Sequence, residues 1–370
     1  MRRIVRKPSL VAVIFAVAVI AVGVAASSAS TAPKTHDGGY TVHALVSDQA
    51  GKADHMDPNL VNAWGITASS ASPWWVSDNG MNVSTLYNGA GIAQFPPTPL
   101  VVGVDGNPTG TVFNGSTGFV INDGNGHSGP AVFMFATEGG TIRGWNPGVP
   151  PPPRSTQSFV GPNDADQSGV GAVFKGLAIA DDRLYATDFH NGRVDVFDSS
   201  FHLVPGGFVD PKLPKGYGPF GIQNVGGNIF VTYAKRAPTG DDELHGQGFG
   251  VVDEYSTAGT LITRVAQHGD LNAPWGLAMA PPDFGEASGD LLVGNFGDGR
   301  INVFEPTKNG KFKSDGQLEG EDGAITIDGL WGIGFGNGSG SGATNALYFA
   351  AGPDDENHGL FGRVEVAPDD

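Results

Sequence analysis

The pattern bulky residue, glycine, aliphatic recurs along this chain, and no other feature restricts its folding as much. Trp64-Gly65-Ile66, Phe220-Gly221-Ile222, Trp275-Gly276-Leu277 and Trp331-Gly332-Ile333 are full copies. Lys175-Gly176-Leu177 and Gly110 before Thr111-Val112-Phe113 are weaker ones. After each comes a short apolar run ending in a turn, as at residues 74–78 and 291–295, then an alternating run, as at residues 83–87 and 300–304. Less regular fourth runs follow at residues 93–95, 157–160 and 261–265. Short strands separated by turns suit a four-stranded antiparallel blade. One blade cannot bury both of its faces, so six must stack, and radial stacking closes a ring. The motif glycine then belongs on the innermost strand, where backbone approaches backbone. The Trp or Phe before it is expected to wedge between neighbouring blades.

The expected fold is therefore an all-β, six-bladed β-propeller of four-stranded antiparallel blades. Its blades fall at residues 59–107, 108–172, 173–216, 217–270, 271–326 and 327–370. The sixth copy stops at its third strand, while residues 40–46 (YTVHALV) are strand-like without a partner. They are expected to join the last blade and lock the ring, making residues 40–370 one domain with 40–48 in blade six. Composition agrees: 58 Gly and 26 Pro would break long helices, at about 1 kcal/mol per interior Gly. Two β-sandwiches would need a linker, and the proline run at 150–153 reads instead as a rigid loop within blade two.

Residues 1–32 read as a signal peptide. Arg2, Arg3, Arg6 and Lys7 precede an uncharged, largely apolar run over 10–26, and small residues lead to a cleavage position after Ala32. A retained anchor helix is the alternative. Cleavage would move the net charge from −17 to −21. So acidic a chain, with no basic stripe, excludes nucleic acid as a partner and disfavours stable membrane association. The chain has no Cys, so disulfides cannot staple it.

Two long strings, LNAPWGLAMAP (271–281) and LLVGNFGDGRINVFEP (291–306), resemble NHL-type propeller repeats, as does LYATDFHNGRVDVFD (184–198). NLVNAWGI (59–66), SPWWVSDNG (72–80), TEGGTIRGWNP (137–147), VTYAK (231–235) and IDGLWGIGFGNG (327–338) are similar to a family of exported bacterial proteins of unassigned function. This resemblance spans nearly the whole chain after the leader. It implies a six-bladed fold and no reaction.

In such a propeller the b–c loops and the connections into strand a share one face, where ligands usually bind. That face is expected to carry Asn62, Asp78, Glu138, Asp188, His190, Lys235, His245, Asn295, Asp328 and His358, with Asn79, Asn272, Asp354 and Glu356 among further polar residues. His190, His245 and His358 occupy corresponding loops and either converge on Zn²⁺ or are solvated singly. Asp78, Asp188 and Asn295 end strand b in alternating blades and either bind Ca²⁺ or cap turns. The acidic run 241–243 is a lid or a solvated loop, and Trp74-Trp75 is a sugar platform or blade core. No GxSxG elbow or phosphate loop occurs. Two functions from different classes remain: a binding module for a protein, peptide or glycan, and a Ca- or Zn-dependent lyase or hydrolase such as a lactonase.

Overall fold

A computed structural model describes residues 39–238 and 240–368; the leader segment expected at 1–32 lies outside them. Five four-stranded sheets and one five-stranded sheet, whose outer edge carries the short parallel strand His55–Met56, account for the body of the chain. Strands a to d run as follows. Blade one comprises Ala63–Thr67, Trp74–Asp78, Val83–Tyr87 and Val102–Gly103. Blade two comprises Pro108–Phe113, Phe133–Thr137, Ile142–Trp145 and Phe159–Val160. In blade three they are Phe174–Ala180, Arg183–Asp188, Arg193–Phe197 and Leu203–Val204. Blade four has Tyr217–Val225, Asn228–Lys235, Gly250–Tyr255 and Leu261–Gln267, and blade five Pro274–Met279, Leu291–Asn295, Ile301–Pro306 and Phe312–Gln317. Blade six is built from Leu330–Phe335, Leu347–Ala351 and Leu360–Val366, and its fourth strand is Tyr40–Ser47 from the far end of the sequence. Tyr40 lies opposite Val366 and Ser47 opposite Leu360. The ring is closed as the unpaired N-terminal strand implied, which makes this a β-propeller. One expected strand moves: residues 93–95 contribute only a bridge from Ala93 to Tyr87, and Val102–Gly103 takes the outer place in blade one.

The motif glycines explain the closure. A Cβ on Gly65, Gly176, Gly276 or Gly332 would lie 2.5–2.9 Å from a backbone carbonyl of the next blade, contributed by Thr109, Phe220, Trp331 and Trp64 respectively. Gly110 and Gly221 sit closer still, against Gly176–Leu177 and Trp275. These contacts run blade to blade around the ring and return to the first, so any side chain would push two blades apart. Six apolar clusters fill the six interblade spaces. Trp74 and Trp75 belong to two of them, at 3% and 2% exposure, which makes them blade core and not a sugar platform.

A seventh cluster lies on the axis, and it corrects the expected place of the motif aromatics. Trp64, Phe220, Trp275 and Trp331 meet one another across the ring instead of wedging between blades. Trp64 stacks on Trp331 with centroids 3.6 Å apart, and Phe296 stacks on Trp331 at 3.8 Å. The cause is local: strand a carries a register shift at the motif in all six blades. Such a bulge re-aims a side chain, here toward the centre. Each good aromatic pair adds about 0.5–1.5 kcal/mol beyond its area burial.

Candidate functional site at the axial mouth

The aromatic plug divides the axis. Below it, Ile66, Thr111, Leu177, Ile222, Leu277 and Ile333 leave a cavity of only about 30 Å³. Above it, toward the b–c loops, polar side chains from four blades form one hydrogen-bonded chain. It starts at Lys175, which occupies in blade three the register position held by Trp or Phe in four other blades. The bulge therefore aims an ammonium at the axis, with Nζ 5.2 Å from the Trp64 ring centroid. The side chain is 3% exposed and lies 2.6 Å from Glu138 Oε1. Burial opposes its charge, but Glu138, Glu243 and Asp242 overcome that and raise its pKa.

From Lys175 the chain continues around the mouth. Glu138 Oε2 accepts Asn79 Nδ2 at 2.9 Å, and Asn79 Oδ1 accepts Asn62 Nδ2 at 3.3 Å. Asn62 Nδ2 also donates to Glu356 Oε1 at 2.9 Å. The Asn62 Oδ1 atom accepts both indole N–H groups, from Trp64 at 3.0 Å and Trp331 at 3.2 Å. Asn62 thus ties the rim to the plug. Burial raises the Glu356 carboxyl above its ordinary range; the Asn62 hydrogen bond works against this, while Glu243 adds to it. Across the mouth His245 lies 3.5 Å from Glu243 and edge-on to Phe296. Its pKa is raised first by the Glu243 hydrogen bond and then by the field of Glu356 and Asp355. Carboxylates outnumber cations here, so the rim presents mainly acceptors.

Of the residues expected on this face, Asn62, Glu138 and His245 are gathered at the mouth. The other two histidines are not: His190 Nδ1 pairs with Asp241 at 2.5 Å, and His358 Nδ1 with Asp48 at 2.8 Å. With each ring bound to a different carboxylate, the zinc trio is not assembled. Lys235 lies over the Phe249 ring, and Asp328 accepts the Asp354 N–H. Two members of the calcium set are turn caps. Asp188 Oδ1 accepts the Val173 and Asn191 N–H groups, and its Oδ2 accepts Asn191 Nδ2 at 2.7 Å. Asn295 Oδ1 accepts the Asn272 N–H, and its amide donates to Asp270 O and Asp298. Asp78, the third, is buried without a cap. Among the described residues no group of three or more His, Cys, Asp or Glu is arranged to hold a metal. Sequence reading passed over Lys175, although a charged residue in an otherwise aromatic register position is the signal that marks it.

Ring, plug and polar mouth define a six-bladed β-propeller with an axial polar site. No protein-family model matches the chain. It is 32% identical over 340 residues to uncharacterized protein R648 of Acanthamoeba polyphaga mimivirus, covering 88% of this chain and 80% of that protein. Against uncharacterized protein L690 of the same virus the identity is 33% over 343 residues, covering 88% and 85%. The chain belongs to the family of these uncharacterised proteins. Both relatives are viral, where the sequence resemblance implied a bacterial family. A solved protein of unknown function from Bacteroides thetaiotaomicron aligns with a TM-score of 0.54 at 11% identity, over 88% of this chain and 76% of its own. That likeness concerns the fold alone. A streptogramin B lyase aligns at 14% identity and a TM-score of 0.49, over 89% and 98%.

Proposed function

We propose that the chain is an exported binding module whose axial mouth takes a peptide, protein or glycan ligand rich in hydrogen-bond donors. One observation carries this: the chain Lys175–Glu138–Asn79–Asn62–Glu356 is fixed on a buried aromatic floor. Preorganised acceptors lose little entropy on binding, so each bond they make to a ligand counts. Hydroxyl and ammonium groups are the complementary chemistry, and the acidic chain favours cationic or neutral ligands. The basic start and apolar run of residues 1–32 support export. The alternative, a metal-dependent lyase or hydrolase, finds no donor set at this mouth among the described residues.

The reading is tested by screening the protein on a glycan array and a library of basic and neutral peptides. Glu138→Gln and Glu356→Gln variants are then compared on the hits. Loss of one charge-assisted bond should weaken binding about tenfold. Hits that bind both variants as tightly as the wild type would place recognition elsewhere and sink the proposal.

A further inference from the structure

Away from the mouth, blade one carries a buried carboxyl that the fold answers only weakly. Asp78 ends strand b and is fully buried, on the strand face that Trp74 and Val76 turn toward blade six. Neither of its carboxylate oxygens makes a hydrogen bond of good geometry, and neither does the buried Thr85 Oγ1, which still lies near enough to Asp78 to lower its pKa in part. The donors that cap the corresponding Asp188 are committed elsewhere or replaced in blade one. Asn62 N, the counterpart of Val173 N, donates to His358 O, and Met81, the counterpart of Asn191, has no side-chain amide. A second carboxylate, Asp57, lies close by and accepts the Tyr87 hydroxyl at 2.9 Å.

Cross-strand register shows what is missing. Asp188 lies opposite Arg193, whose guanidinium sits 3.6 Å from it and 2.6 Å from Asp195. Asp78 lies opposite Val83, and Thr85 stands where blade three has Asp195. Blade five avoids the problem with a neutral Asn295. Only blade one of these three keeps the acid and lacks the counter-ion.

We propose that Asp78, with Thr85 Oγ1 and the Tyr87 and Asp57 oxygens beside it, binds a small hard cation between blades one and six. An ion there replaces the guanidinium of blade three. Carboxylate and hydroxyl oxygens suit calcium or sodium, not a soft metal. Burial pushes the Asp78 carboxyl well above its ordinary range; Thr85 offsets part of this and Asp57 adds to it. A proton is therefore the competitor for the same place.

The experiment is thermal unfolding of the full chain in calcium chloride, sodium chloride and tetramethylammonium chloride at matched ionic strength. Calcium or sodium should raise the wild-type Tm by about 3 °C over tetramethylammonium. Which ion does so assigns the charge of the occupant. Asp78→Asn mimics the protonated acid and should abolish the ion-specific shift. Val83→Arg supplies the blade-three counter-ion, so it should show no shift and hold a high Tm in all three salts. That variant carries the test should Asp78→Asn not fold. Equal wild-type Tm values in the three salts would overturn the proposal, as would an ion-specific shift that survives in either variant.

Discussion

Blades one and three place an aspartate at the same point, the last residue of strand b, and treat it in opposite ways. Both side chains are fully buried. Asp188 caps two backbone N–H groups, accepts the Asn191 amide and faces a guanidinium. Asp78 has none of these. The repeat specifies the residue and its position, yet the environment is set by four neighbouring positions that the repeat does not hold constant. A buried carboxylate stabilises only where donors or a counter-charge offset its lost hydration. The same letter is thus a structural cap in one blade and an open binding valence in another.

The largest effect should come from removing the aspartate that is satisfied. Asp188→Ala leaves the Val173 and Asn191 amides without their acceptor in a part-buried turn and the Arg193 guanidinium without one carboxylate, which should cost about 2 kcal/mol. Asp78→Ala in tetramethylammonium buffer should cost much less, because it deletes a group with no backbone cap and no counter-ion to lose. Urea unfolding of both variants measures the difference. Equal losses would mean that the two aspartates do the same job.

Titration sharpens the comparison. The Asp78 carboxyl is raised in the folded state, so the native protein holds a proton that the unfolded chain releases near pH 4. The stabilisation is fully present below the unfolded value and is lost as pH rises through the folded one. In cation-free buffer the wild-type minus Asp78→Asn stability difference should fall with pH, by up to about 1.4 kcal/mol per unit. Calcium or sodium should flatten that slope, since an ion holds the carboxylate ionised. A slope unchanged by the ion would leave the proton as the sole occupant.

Much of the fold was legible in the sequence because glycine at a repeated position reports close backbone approach, a property of the residue itself. Closure by residues 40–46 was legible for a related reason, since an unpaired strand at one end met a three-stranded blade at the other. The axial mouth was legible only in part. Asn62 and Glu138 follow from blade position, because short connections hold them at the axis. His190 and His358 occupy matching loops, but nearby Asp241 and Asp48 capture their rings, and sequence position does not report such local pairing. Lys175 was hidden by the expectation that its register position packs between blades. The bulge that turns this position to the axis depends on the ladder register, which repeat spacing alone does not reveal.

The smallest expected effect separates an ion from a packing defect. Thr85 is buried, and its hydroxyl makes no hydrogen bond of good geometry, so its burial costs about 1 kcal/mol in the absence of an ion. Thr85→Val keeps the shape and removes the hydroxyl. In tetramethylammonium buffer it should therefore stabilise the protein by about 1 kcal/mol. In calcium or sodium the gain should shrink or reverse, because the variant also loses an oxygen ligand. Urea unfolding in the three salts resolves the two terms. The same gain in every salt would mean that Thr85 takes no part in binding. Blade one would then differ from blade three by an unsatisfied polar cluster and nothing more.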